Sequence, residues 1–200
     1  MKAISSLNKA ETMTTQKEDL DQAAYKIFSE KGYKHTNIAE IAKSANMAVG
    51  SFYKFYKSKE ALFVVLYVQE NDRVKQQLKE QVDWEAKPAK VIDQLVTTAL
   101  TIGADNPILA EGHNPDLAEA LAAHYEAQTG DGQETLVQFL NKALATQLHQ
   151  AQLGKKKRKA FLGVYDLLAN MPAPTDPQDL PAYDETRKNL IKYFVKGILA

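Results

Sequence analysis

The groups able to move a proton in this chain are few. His113, His124 and His149 have carboxylates near them in sequence, Glu111, Asp116 and Glu126, and such pairs can act as general acids and bases. No His-x-x-x-His ligand pair or nucleophile motif accompanies them, and the nine glycines form no phosphate-binding loop. The absence of cysteine removes disulfides, thiolate metal sites and thiol catalysis. The chain therefore reads as a non-enzyme, with no metal or cofactor expected. A different chemistry is more concentrated. Between Lys31 and Lys59 stand six lysines (Lys31, Lys34, Lys43, Lys54, Lys57, Lys59) against one acid, Glu40. The formal net charge of the whole chain is zero, so the remainder is acidic by the same amount. Salt screens exposed charges beyond about 8 Å, so a polyanion responds to the local excess and not to the total.

The elements that must position these lysines are helices. No stretch shows sustained period-two alternation, whereas apolar residues recur at three and four nearly everywhere, which predicts an all-α fold. Thr15 and Glu18 stand at capping-box spacing and predict the start of the first helix, preceded by a flexible arm over 1–14. Its apolar face is Leu20, Ala23, Ala24, Ile27 and Phe28, and Gly32 ends it. A second helix follows Asn37, again at capping-box spacing to Glu40, and turns Ile38, Ile41, Ala42 and Ala45 inward. A third is predicted from Ala48 to Tyr56, and a fourth from Ser58 to about Val82.

Only Ala45, Asn46 and Met47 separate the second and third helices, which is the spacing of a helix-turn-helix. Asn46 is a residue that tolerates the left-handed backbone such a turn needs. With Met47 and Phe52 packed inward, Val49, Gly50, Ser51, Tyr53 and Lys54 remain outward on the third helix. Their chemistry suits a DNA major groove: Lys54 for guanine O6 or N7, Val49 for a thymine methyl, Ser51 for several bases. Gly50 has no side chain to hold the backbone away from a duplex. Tyr53 and Lys59 suit phosphate oxygens.

Residues 21–62, DQAAYKIFSEKGYKHTNIAEIAKSANMAVGSFYKFYKSKEAL, closely resemble the N-terminal DNA-binding domain of the TetR family of repressors. The marks are Ala24, Phe28, Gly32-Tyr33, Thr36, the Ile38/Ile41-Ala42 face, Ala45, Gly50, Tyr53 and Ser58-Lys59-Glu60 leading into Leu62. The resemblance implies that Tyr53, Lys59 and the Thr36/Asn37 pair meet phosphates while Val49, Ser51 and Lys54 face bases. Three positions depart from the pattern: Asn46 stands where glycine is usual, Ala48 where a serine or threonine caps the recognition helix, and Phe55-Tyr56 reverses a common order. A lost cap costs about 0.5–2 kcal/mol, so the third helix is expected to be less ordered until DNA binds.

The rest of the chain reads as a helical body over 61–200, against a DNA-binding segment over 15–60. Helices are predicted from Pro88 to Ile102, as a short piece between Asn106-Pro107 and Asn114-Pro115, and over Asp116–Gln128, Gln133–Leu153, Lys157–Asn170 and Tyr183–Leu199. Gly130-Asp131-Gly132 divides two of them, and Pro172, Pro174, Pro177 and Pro181 make a stiff connector. The basic run Lys155 to Lys159 reads as a solvated approach to a helix.

By resemblance, this body binds a small-molecule effector and forms a homodimer through its last two helices. Their apolar stripes are Phe161, Leu162, Val164, Tyr165 and Leu168, and Leu190, Ile191, Phe194, Val195 and Ile198. Tyr67, Trp84, His113, His124 and Tyr125 are the candidates to line an effector pocket, since each combines apolar area with a polar handle. The longest apolar run, Ala61–Val68, is far shorter than the ~20 residues that span a bilayer, and Met1–Met13 lacks the core of a secretion signal. A cytoplasmic, ligand-responsive repressor on a palindromic operator is therefore expected. The rival is a ligand-independent DNA-binding protein with an architectural or cell-division role.

Overall fold

A computed structural model describes residues 2–104, 106–127, 134–169 and 182–199, with side chains from residue 13 onward except those at 104, 168, 169, 184 and 199. Among these residues every regular element is a helix: α1 (Lys2–Lys31), α2 (Ile38–Ser44), α3 (Val49–Phe52), α4 (Lys59–Gln81), α5 (Pro88–Ala104), α6 (Pro107–Ala110), a 3-10 turn (Glu111–His113), α7 (Pro115–Ala127), α8 (Leu136–Gln150), α9 (Lys155–Ala169) and α10 (Tyr183–Leu199). None of them is long and apolar enough to cross a membrane. The proline-rich connector and the Gly130–Gly132 break lie outside the described residues.

The chain divides into two compact units, Met1–Asn71 with Asn106–Gln133 and Asp72–Asp105 with Glu134–Ala200. In the first, α1 packs on α2 and α6, and α2 packs on α3. Its core is built from Leu20, Ala24, Phe28, Ile41, Phe52, Leu62 and Phe63, all shielded from solvent, and Ile108 and Leu117 join the same cluster. The rings of Phe28 and Phe63 meet edge to face at 5.0 Å, a favoured arrangement of aromatic quadrupoles. This unit is larger than the 15–60 segment because Ile108, Leu117 and Leu121 have their apolar surface to bury in that cluster.

In the second unit, α5 packs on α8 and α10, and α9 packs on α8 and α10. Val91, Ile92, Leu95, Leu144, Leu148, Phe161, Ile191 and Val195 are among its buried side chains. Lys75 is buried there, with Nζ donating to the Glu134 carbonyl at 2.6 Å and paired with Asp72 at 2.8 Å. Helix α4 runs unbroken past Asn71, from the first unit into the second.

Helix ends follow local chemistry where a side chain can serve. Asn37 is in extended backbone and its Oδ1 accepts from the Glu40 amide at 2.9 Å, a cap worth about 1 kcal/mol. Gly32, at φ +75°, closes α1 with its amide on the Phe28 carbonyl. The Thr15 cap is not used, because α1 begins at Lys2 and passes through it. Residues 2–14 contain no glycine or proline to stop a helix growing upstream. Helix α8 begins at Leu136 and not at Gln133, because Thr135 and Gln138 form a reciprocal capping box. The basic run is not an approach to α9 but its first turns, with Lys155, Lys156, Lys157 and Lys159 exposed.

Candidate nucleic-acid interface

The interface is built on a corner, a turn and one helical turn. The corner is residues 32–36, between α1 and α2, and Tyr33 is its hub. The Tyr33 ring is buried, edge-on to Phe63 at 5.3 Å and stacked on Phe28 at 6.0 Å. Its amide donates to Glu111 Oε1 at 2.8 Å and its carbonyl accepts from Lys59 Nζ at 2.9 Å. Burial, followed by the hydroxyl's hydrogen bond to Glu60, pushes the Tyr33 phenol well above its ordinary value.

Lys59 therefore does not reach outward. Its ammonium donates to the carbonyls of Tyr33 and Thr36, both at 2.9 Å, and lies 4.1 Å above the Tyr33 ring centroid. Thr36 is 3% exposed, with its hydroxyl donating to the Gly32 carbonyl at 2.8 Å. Both are expected on phosphates, and within the chain itself both hold the corner in shape. Asn37 is exposed, but its side-chain oxygen is occupied in capping α2.

The turn after α2 reverses through Ala45, Asn46 and Met47. Asn46 adopts φ +54°, the left-handed backbone expected of it, and the Met47 amide reaches back to the Ala42 carbonyl at 2.9 Å. Helix α3 is then a single turn, Val49–Phe52, rather than a helix from Ala48 to Tyr56. Ala48 sits at the cap position in extended backbone with no side-chain acceptor to offer. Beyond Phe52 the amides of Lys54 and Phe55 bond three residues back, to Ser51 and Phe52, so the chain tightens into turns. Phe52, Tyr53, Phe55 and Tyr56 all resist helix more than straight-chain residues do, because χ1 freedom is lost against the preceding turn.

Phe52 is fully buried and anchors α3, while Val49 (43% exposed), Gly50, Tyr53 (56% exposed) and Lys54 face solvent, and Ser51 is half-buried. Ala48 is exposed beside them. A Cβ built on Gly50 would meet nothing within 4 Å. Gly50→Ala is therefore expected to leave the thermal midpoint unchanged or slightly raised, since alanine favours helix by about 0.8–1.0 kcal/mol. If close approach to a duplex is what Gly50 permits, DNA affinity measured by fluorescence anisotropy falls in the same variant.

At the far side of the turns, Tyr56 is buried with its hydroxyl donating to Asp21 Oδ1 at 2.6 Å and accepting from Lys17 Nζ at 2.7 Å. Burial first, and then the Asp21 bond, push this phenol up to about 12. The triad ties the end of the reading segment to α1.

Of the six lysines, Lys59 is turned inward and Lys31 is paired with Glu40. Lys34, Lys43, Lys54 and Lys57 are exposed with no carboxylate partner among the described residues, and His35 is exposed beside Lys34. In the sequence, Lys34, Lys43 and Lys57 are marked only as part of the lysine excess, and His35 lies beside them.

The other expected sites come together less well. Tyr67, His113, His124 and Tyr125 belong to the first unit and Trp84 to the second, where its Nε1 donates to the Lys79 carbonyl and closes α4. His113 is exposed. An open depression of about 600 Å³ in the second unit is lined by residues 151–157 and Ile198, none of them an effector candidate. In the expected dimer stripes, Phe161, Tyr165 and Ile191 are buried within the second unit, with Phe161 and Phe194 rings 5.4 Å apart. Leu162, Phe194 and Ile198 are half-buried, Leu190 is exposed, and the Leu168 side chain is outside those described. Among the described residues, the large apolar side chains left outward on α9 and α10 are Leu167, Leu190 and Tyr193.

Comparison with known proteins agrees with this geometry. Residues 22–66 match the family described as bacterial regulatory proteins, tetR family. The fatty acid metabolism regulator protein of Bacillus subtilis is 27% identical over 92 residues, 46% of this chain and 44% of that protein. The chain's matches span between 15% and 44% of the lengths of the curated relatives. Among solved structures, the fatty acid degradation regulator FadR of Bacillus halodurans superposes with a TM-score of 0.60 at 20% identity, over 92% of this chain and 94% of that one. FadR of Bacillus subtilis, solved in complex with stearoyl-CoA, gives 0.61 at 16% identity, over 92% and 97%. These likenesses establish the fold along most of the chain. The helix-turn-helix segment at residues 22–66 is thus similar to that of the tetR family of bacterial regulatory proteins.

Proposed function

We propose that this chain is a cytoplasmic transcriptional repressor that binds a palindromic operator as a homodimer and is released by a fatty acyl thioester. The observation that carries the DNA reading is the division of labour at the interface. Phe52, Tyr33 and Lys59 are spent on holding the segment, while Lys34, Lys43, Lys54, Lys57 and the Val49–Gly50 edge are left to solvent. Four ammonium groups with no carboxylate partner among the described residues repel one another on so short a stretch and gain most from a phosphate backbone.

Leu167, Leu190 and Tyr193 are the exposed apolar groups of α9 and α10 that a second copy would cover, among the described residues. A two-fold dimer sets its reading heads one DNA turn, about 34 Å, or a multiple apart. The effector class is supported by the relatives alone, one named for fatty acid metabolism and one holding stearoyl-CoA. Release fits the unbroken α4, since a ligand that favours a displaced far end of a rigid helix also favours a displaced near end.

The test is selection of bound sequences from random duplex DNA, repeated with stearoyl-CoA present. An enriched palindrome lost on adding the thioester supports the full reading, and one that persists removes the effector class. No enriched sequence favours the architectural rival. On the selected operator, Lys54→Ala is expected to weaken binding about tenfold, with about twofold loss or less on unrelated duplex. Equal losses on both would remove Lys54 from base reading.

A further inference from the structure

The segment from Asn106 to Asn114 is far in sequence from the reading segment, yet it ends on the corner that orients it. Asn106 is buried and makes both ends of an amide bridge: Nδ2 donates to Glu70 Oε1 on α4 at 2.6 Å, and Oδ1 accepts from the amides of Ile108 and Leu109 at 3.1 and 3.0 Å. This caps α6 and ties its start to α4. One turn on, Glu111 accepts from the Tyr33 amide through Oε1 at 2.8 Å and from Asn114 Nδ2 through Oε2 at 2.7 Å. Asn114 is itself fixed, because its Oδ1 accepts from the Asp116 amide at 2.9 Å.

Two glycines mark how closely these parts approach. A Cβ on Gly112 would collide with the Tyr67 hydroxyl, and a Cβ on Gly32, already at φ +75°, would fall 3.0 Å from Glu111 Oε1. The charge is also out of place for any general purpose. A carboxylate at the C-terminal end of a helix such as α1 is disfavoured by the macrodipole. What Glu111 gains there is one specific donor, the Tyr33 amide, on the residue whose carbonyl Lys59 holds. The corner is thus held at the Tyr33 amide and at the Tyr33 carbonyl by two side chains of opposite charge.

We propose that Glu111 is a positioning residue for DNA recognition: by holding the Tyr33 amide it sets the α1–α2 corner, and through it α2 and α3, without touching DNA. The inference rests on the DNA-binding reading above. In it, operator affinity depends on a side chain 78 residues from Tyr33.

The experiment uses the full chain, the operator recovered by selection, and Glu111→Ala and Glu111→Gln. Both variants remove the same negative charge, but glutamine keeps an acceptor for the amide while giving up the Asn114 bond. Glu111→Ala is expected to speed hydrogen exchange at the Tyr33 amide about tenfold or more, with core amides such as that of Phe28 unchanged. It should weaken operator binding about tenfold, against about twofold on unrelated duplex, and Glu111→Gln should stay within about threefold of wild type on both readouts. Gly112→Ala, which drives the turn away from Tyr67, should reproduce the operator loss, and adding Tyr67→Phe should relieve it in part.

Wild-type operator affinity in Glu111→Ala overturns the proposal, as does an equal loss in Glu111→Gln, and either leaves the DNA reading intact. Should Glu111→Ala fail to fold, the Gly112→Ala and Tyr67→Phe pair decides the matter by the same criterion. Failure of the wild-type chain to select any sequence overturns the DNA reading and this proposal with it.

Discussion

Phe52→Ala is expected to lower the unfolding free energy by about 3–5 kcal/mol, the usual cost of emptying an aromatic site in a packed core. Phe52 has no exposed surface, and its ring lies 5.3 Å from Tyr53 and 6.1 Å from Tyr56. The effect on function should exceed the effect on folding. Helix α3 has four residues and no side-chain cap, so neither propensity nor capping holds it. Its place depends on this one buried ring. In urea denaturation followed by circular dichroism, the midpoint should fall steeply. Operator binding should be lost even under conditions where the variant is still mostly folded. Phe52→Leu, which keeps much of the apolar volume, should retain binding in part. Wild-type affinity in folded Phe52→Ala would mean that α3 does not depend on this anchor.

The second large effect belongs to Lys59. Replacing it with methionine keeps most of the side-chain volume but removes two charge-assisted hydrogen bonds to the Tyr33 and Thr36 carbonyls and the contact with the Tyr33 ring. Hydrogen bonds to a charged group contribute about 1.5–3 kcal/mol, so a loss of about 2 kcal/mol in stability is expected. The salt dependence of DNA binding separates this role from a phosphate contact. A lysine that neutralises a phosphate contributes about one to the slope of log affinity against log salt. For Lys59→Met that slope should stay at the wild-type value while affinity drops, because the residue supports the corner from within. Lys57→Ala or Lys34→Ala should do the opposite, lowering the slope with little change in stability. A slope reduced by about one in Lys59→Met would return Lys59 to the DNA surface.

Both expectations show where sequence and structure part company. The Asn37 cap, the Gly32 stop and the left-handed Asn46 were all legible, because each depends on a residue's own backbone preference or on an atom three residues away. The inward set Ile41, Ala42 and Phe52 was legible too, since a period of 3.6 is a local property of the chain. The start of α1 was not: Thr15 can cap a helix, but it can also stand inside one that good helix formers extend upstream. The length of α3 was overestimated for a related reason. Periodicity marks which face is apolar and is blind to where a run of aromatic residues tightens into turns.

The apolar stripes of α9 and α10 meet a different limit. Apolar residues on α9 and α10 could have faced another copy or their own unit, and hydrophobicity does not distinguish the two. Only packing assigned Phe161, Tyr165 and Ile191 to the interior and left Leu167, Leu190 and Tyr193 outside. The same limit applies to the effector candidates, whose residue types do not say which unit holds them.

What the amino-acid sequence determined by itself is the all-helical class, the helix-turn-helix and the local lysine excess, because periodicity, caps and charge counts act over a few residues. What only the tertiary structure decided is which lysines are free and what holds the reading segment. A long side chain such as that of Lys59 can point either way from the same backbone, and its direction was set by the carbonyls of a buried corner. Tyr33 and Glu111 lie 78 residues apart, a pairing no local pattern encodes, and the folded core brings them to 2.8 Å.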